Sequence, residues 1–307
     1  MAATAETGQA TVRTSESPRL RPLSRLRDVY GYREILANLV RKELKVKYTK
    51  SVLGAAWSML NPILYLAVFS FVFAFVLKPN IPHFPVYLLS GLVAWNLFAG
   101  SLGLAVRSVV DNTSLVKKVY FPKEILPLSS VGTSLVDFAL QTLVLVVFMV
   151  AFGYLFLGVN TLLFFLSLIA LVIFSSALSM WVSAMNVPYR DTQHLLNLVL
   201  LAWFWLTPIV YPSSLLQQKL SSVRIFGVSL FHVYLLNPLA AVVFGFQRAF
   251  YAQVNPPIDG KPVPVLIDLS VGRLALLLAG VIAGSTVLLL LCWRTFFRMS
   301  GDFAEEL

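Results

Sequence analysis

At 307 residues, with 58% apolar and 12% charged residues, the chain departs from soluble domains, which run at roughly 45 to 50% and about 25%. That composition excludes a soluble enzyme and predicts an all-α polytopic membrane protein. The net charge of +10 does not point to nucleic acid, because 11 of the 24 Lys and Arg fall within residues 1–50, beside the first apolar run, where such residues set topology and meet anionic lipid.

Residues 1–24 are rich in Thr, Ser, Ala, Arg and Pro and hold no apolar block. They read as a disordered cytoplasmic tail and not as a signal peptide, which leaves targeting to the first span. Residues 25–50 read as an amphipathic interface helix. At 100° per residue, Tyr32, Ile35, Leu36, Leu39 and Val46 share an apolar arc, with Glu34, Arg41, Lys42 and Lys45 opposite. Such a helix is expected to lie along a membrane surface. Glu43 and Lys47 fall on the apolar arc and require polar or protein surroundings, which hints at a protein partner. Five basic residues between Arg41 and Lys50 precede an uncharged run, placing this end in the cytoplasm.

Six segments approach the roughly 20 helical residues that a hydrocarbon layer requires: 51–77, 86–106, 125–157, 162–185, 195–211 and 274–293. The even count keeps both termini cytoplasmic, with 301–307 as a second tail. On this topology 18 basic residues face the cytoplasm and six face outward. Asn61-Pro62 is expected to bend the first span and Pro208 the fifth. The stretch 225–247 is apolar but broken by Gly227, His232 and Asn237-Pro238, and a crossing there would export Arg294 and Arg298. It is expected to form re-entrant short helices between spans five and six. Residues 255–264 then read as a small hairpin or turn around Asp259-Gly260.

The connection 107–123 predicts one short helix, capped by Asp111, Asn112 or Thr113 and stopped by Pro122. Its mix of Leu115, Val116 and Val119 with Lys117 and Lys118 suits either a docking element or a solvated loop. Asp137 is the single carboxylate inside a span. Such an acid is a functional group by default, but a structural ion pair with Arg107 or Arg190 is the favoured reading.

The chain holds no Gly-x-x-x-x-Gly-Lys-Ser/Thr phosphate loop, so it does not hydrolyse ATP by that route. Its three histidines, His83, His194 and His232, are widely spaced, and Cys292 is the lone cysteine, read as a small apolar residue ending a span. No disulfide or metal site is expected. One intramembrane acid and no visible repeat argue against a proton-coupled carrier. What remains is a conduit powered from elsewhere. Trp57, Tyr65, Phe69 and Phe73 lie on one drifting helical stripe, and Trp95, Trp203, Trp205 and Tyr211 lie on other spans. Their ring faces suit sugar C–H groups, though packing and lipid-facing roles stay open for each.

The run Arg41-Lys-Glu-Leu-Lys-Val-Lys-Tyr-Thr-Lys-Ser-Val-Leu-Gly-Ala-Ala-Trp-Ser-Met-Leu-Asn-Pro62 resembles the opening motif of ABC-2-type polysaccharide exporter permeases. Tyr189-Arg-Asp-Thr-Gln-His194, Trp205-Leu-Thr-Pro-Ile-Val-Tyr-Pro212 and Leu236-Asn-Pro-Leu-Ala240 agree with it in order, over about residues 30–300. The family contains the Wzm-type exporters of O-antigen, the teichoic acid permeases and the permeases for mycobacterial lipid-linked galactan.

The resemblance implies a permease of the plasma (inner) membrane that exports a lipid-linked glycan, works as a homodimer with two ATPase subunits, and leaves ATP and Mg to that partner. It also implies ATPase coupling by Arg41, Lys42, Glu43 and Lys45 together with Asn112, Thr113, Ser114, Leu115, Val116, Lys117 and Lys118. Two alternatives remain at this level. A membrane-embedded enzyme of glycan assembly turns over by itself, and an ATP-independent channel or carrier supports flux down a gradient.

Overall fold

The computed structural model describes residues 22–49, 56–71, 81–151, 153, 158–225, 227–251, 257–258, 261–262 and 264–307, with side chains undescribed at 22–24, 56–59, 61–62, 70, 225, 257–258 and 261–262. Nearly all of the expected tail 1–24 and both ends of the expected span 51–77 lie outside these residues. The interface helix is two helices, α1 (Pro22–Gly31) and α2 (Arg33–Tyr48), parted at Tyr32, which has φ −95° and ψ 20°. Gly31 weakens helix propagation at that point.

The described part of the first span is α3 (Ala56–Phe71), which runs through Asn61-Pro62 without interruption. Next come α4 (Phe84–Ser108), α5 (Thr113–Lys118), α6 (Ile125–Ala151), α7 (Thr161–Met185) and α8 (Thr192–Leu206). A smaller set follows: α9 (Ser213–Ser222), a two-stranded pair β1 (Arg224–Ile225) and β2 (Val228–Ser229), α10 (Leu230–Tyr234) and α11 (Pro238–Phe250). The antiparallel strands β3 (Pro257–Ile258) and β4 (Lys261–Pro262) pair Ile258 with Lys261, and the chain closes with α12 (Val271–Met299) and α13 (Phe303–Glu306).

Among the described residues, α4, α6, α7 and α12 are long and apolar enough to cross a membrane. The fifth expected segment, 195–211, is helical only in its first part. Its helix stops at Leu206, and Thr207 is extended at φ −106° and ψ 134°, because the ring of Pro208 disfavours helical geometry in the residue before it. Pro208 therefore ends α8 instead of bending it. The 15 residues of α8 span about 22 Å. Of the interruptions in 225–247, Asn237-Pro238 separates α10 from α11 and Gly227 lies in the turn between β1 and β2, whereas His232 lies inside α10. Asn237 Oδ1 accepts the Leu239 amide 3.2 Å away, and Pro238 fills the first turn of α11, so a fresh helix begins there. Thirteen residues reach about 20 Å, less than a hydrocarbon core of about 30 Å.

Helix α4 packs against α6, α7 and α11, and α7 also holds α12. Residues Val86–Val93 of α4 are buried all round, which explains a helix with no polar face. Small residues permit this closeness: Ser129, Ser130, Thr133 and Ser134 on α6, and Ser175, Ser179 and Ser183 on α7, are all buried. The tightest approach is at Gly245 of α11, where a Cβ would overlap Ser167 Oγ and lie 3.1 Å from Leu278 Cδ1. A second, smaller core gathers at one end of the bundle. It joins Leu39 of α2, Val116 of α5, Phe121, Ile125 and Leu126 at the start of α6, Trp293 and Phe296 of α12, and Phe303 of α13.

Candidate functional site

The second core positions the basic surface that the sequence picked out. Within α5, Val116 is buried and Leu115 and Thr113 are half-buried, while Ser114, Lys117 and Lys118 are exposed. One buried residue per turn anchors the helix and turns its basic side outward. Beyond it the chain is extended at Val119, Tyr120 is 95% exposed, and Phe121 returns to the core.

Asn112 stands at the N-cap position but caps nothing with its side chain. It is buried, its Nδ2 donates to the Ser108 carbonyl at 2.8 Å, and its Oδ1 accepts from Lys42 Nζ at 2.8 Å. Two of the expected coupling residues, 70 positions apart, are thus directly bonded. Arg41 and Lys45 are exposed and Glu43 is half-buried.

A cleft of about 670 Å³ opens beside α5. Its walls are Arg25 and Tyr32 from α1 and the turn after it, Lys117 and Tyr120 from the 116–124 segment, and Phe297 and Ser300 from the end of α12. The far wall is pinned by residues the sequence did not single out. Lys123 Nζ donates to the Ser300 carbonyl at 2.6 Å and sits 5.7 Å from the Phe303 ring centroid. Phe303 is fully buried, edge-on to Phe296 at 5.4 Å. Burial pushes the Lys123 pKa down, and Glu124 and Asp302 partly oppose it. Glu124, itself buried, accepts from Trp293 Nε1 at 3.2 Å.

The apolar arc of α2 is covered by the chain along its first part and open at its end. Leu39 is buried and Tyr32, Ile35 and Leu36 are half-buried, but Val46 is 70% exposed. Val40 rests against Gly132 of α6, where a Cβ would come within 2.9 Å of Val40 Cγ2. Farther along, Lys47 Nζ donates to Asp137 Oδ2 at 2.6 Å, and Tyr48 OH donates to Oδ1 at 2.8 Å. The carboxylate is met by these groups and not by Arg107 or Arg190, and the polar surroundings that Lys47 required lie within the chain itself. The contacts advance from Gly132 to Asp137 as α2 advances from Val40 to Lys47. The two helices therefore run in the same sense, with α2 climbing along α6.

The aromatics divide. The Trp95 ring lies 5.4 Å from Phe204 and 5.9 Å from Phe98, and Phe98 is 5.3 Å from Trp203. Trp203 Nε1 donates to Asn237 Oδ1 at 3.0 Å. This pair therefore braces α4 and α8 against the start of α11. Tyr65 and Phe69 stack at 6.0 Å on α3, with Tyr65 exposed, and Trp205 is exposed on α8. Tyr211 OH donates to the Trp205 carbonyl at 2.9 Å, while its own carbonyl accepts from Tyr87 OH at 2.6 Å. The Trp57 side chain and Phe73 lie outside what is described.

Residues 35–251 match the model of a family described as ABC-2 type transporter. The O-antigen export system permease protein RfbA of Myxococcus xanthus is 35% identical over 246 residues, covering 80% of this chain and 90% of the relative. A Klebsiella pneumoniae protein of the same name is 31% identical over 219 residues, covering 71% and 80%. The polysialic acid transport protein KpsM of Escherichia coli is 23% identical over 209 residues, covering 67% and 76%.

Proposed function

Because the chain belongs to the ABC-2 type transporter family and is a multi-pass transport subunit, not an enzyme, we propose that it is the permease of an ATP-driven exporter of a lipid-linked polysaccharide. The observation that carries this is its 35% identity, over 80% of its length, to a protein named for O-antigen export. The motifs at 41–62, 189–212 and 236–240 support a polysaccharide as the cargo, and galactan is the polymer we name on the resemblance to the galactan permeases. The membrane is the plasma membrane, both termini face the cytoplasm, and α10 and α11 form the re-entrant pair on the outer side.

The chain's own residues supply a handle and a passage. The handle is the exposed side of α5 with the adjoining cleft and the basic face of α2, against which an ATPase subunit docks. ATP and Mg bind on that subunit. Two permeases pair to enclose the passage, since one chain's spans hardly surround a polymer. Its wall includes Tyr65, Phe69, Trp205 and Tyr211, whose rings pack on sugar C–H faces while hydroxyls stay wet. Trp95 and Trp203 act from behind as supports.

In a purified complex with its ATPase, lipid-linked glycan is expected to stimulate ATP hydrolysis. Changing Tyr65, Phe69, Trp205 and Tyr211 together to Leu is expected to cut that stimulation by about tenfold or more. Undiminished stimulation removes the aromatic wall, and no stimulation of the unaltered complex by any glycan contradicts the export reading.

A further inference from the structure

Resting on that reading of an ATP-driven permease, we propose that Lys47 and Asp137 are positioning residues that carry movement of α5 into the membrane helices, with α2 as the connecting rod. Helix α2 is held at three places. Lys42 bonds Asn112, the residue leading into α5, at 2.8 Å. Val40 sits in the hollow at Gly132. Lys47 and Tyr48 grip the Asp137 carboxylate at 2.6 and 2.8 Å.

These contacts fall within nine consecutive residues of one continuous helix. A shift of α5 therefore drags α2, and α2 either carries α6 with it or loses a contact. The contact hardest to lose is the last, because drawing donors away from a carboxylate on an apolar span is costly, and Asp137 is largely shielded at 16% side-chain exposure, against 41% for Lys47. Helix α6 in turn packs on α4, and both of these touch α3, which carries the Tyr65 and Phe69 stripe. A chain of packed elements thus runs from the docking handle to the passage.

A merely structural ion pair and a transmitting one differ in what their loss does. Loss of a structural pair lowers the amount of folded complex and leaves each folded complex working normally. Loss of a transmitting pair leaves ATP hydrolysis running while export stalls. The test measures glycan flux and ATP hydrolysis together in vesicles holding the permease with its ATPase.

For Asp137→Asn we expect flux per ATP to fall about tenfold, with basal ATP hydrolysis within about twofold of the unaltered complex. Exchanging the charges, Lys47→Asp with Asp137→Lys, is expected to restore at least about a third of the lost coupling. Should Asp137→Asn not assemble, Tyr48→Phe removes one bond to the same carboxylate and is expected to lose about threefold. Unchanged flux per ATP in whichever of these two variants assembles overturns the proposal, as does an assembled charge-exchanged complex no better than the single variant. If the unaltered complex itself shows no ATP-dependent flux, the exporter reading fails first, and that result is distinct from either of these.

Discussion

A permease carrying Leu115→Asp together with Lys117→Glu is expected to reach the membrane folded and to lose its ATPase on co-purification. Lys117 is exposed at the rim of the cleft, and Leu115 is half-buried, one side against the second core and the other open to a partner. Between them, Val116 alone is fully buried and keeps the helix seated on the core made by Phe121, Ile125 and Phe303. The double change therefore alters the surface offered to a partner and trims the edge of the core contact, while the buried Val116 stays in place. Turning an apolar contact into a charge and reversing an adjacent one weakens binding by at least about a hundredfold, close to 3 kcal/mol. Val116→Asp is the contrasting variant, expected to lose the folded permease itself. Retained co-purification of the double variant places the handle elsewhere.

Gly245→Leu is expected to give no folded permease, and Gly245→Ala a folded but weakened one. The Cβ added by alanine would overlap Ser167 Oγ and lie 3.1 Å from Leu278 Cδ1 and 3.2 Å from Ser167 Cβ, so the Ser167 hydroxyl must turn aside and α11 is still crowded against both α7 and α12. Overpacking of this kind costs about 1 to 3 kcal/mol, and at about 2 to 4 °C per kcal/mol the melting temperature falls by about 2 to 12 °C. Adding Ser167→Ala removes the overlapping oxygen and is expected to return at least about half of the loss. Thermal unfolding in detergent decides it. A Gly245→Ala protein that melts with the unaltered one shows that α11 is not wedged between its neighbours.

The long helices were legible because a membrane span needs only an uninterrupted apolar run, and 86–106, 162–185 and 274–293 lie within α4, α7 and α12. The short helix between the second and third spans was legible too, since Pro122 and the flanking polar residues bound it on both sides, and α5 spans Thr113–Lys118. Lys47 announced itself by falling on an apolar arc, yet helical periodicity reports which face a residue occupies and not what meets it. Its partner, 90 positions away, was therefore assigned to another protein. Asp137 shows the same limit from the other side: arginines placed near it by topology were preferred to a lysine on a helix assumed to lie flat. Pro208 was misread because proline kinks some helices and stops others, and a stop is stable where the carbonyls beyond it find partners. Here Gln247 Nε2, buried on α11, donates to the Pro208 carbonyl at 2.8 Å. Phe303 left no local signal, since one aromatic in a short polar tail has no periodicity to read.

The division of labour between this chain and a separate motor is tested most directly by flux into sealed vesicles. With the permease alone, lipid-linked glycan is expected to stay on the side where it was added, with or without ATP. Adding the ATPase subunit and ATP is expected to start its transfer, and a hydrolysis-deficient ATPase to leave it stalled. Sustained transfer by the permease alone, with no nucleotide and no second subunit, contradicts the account.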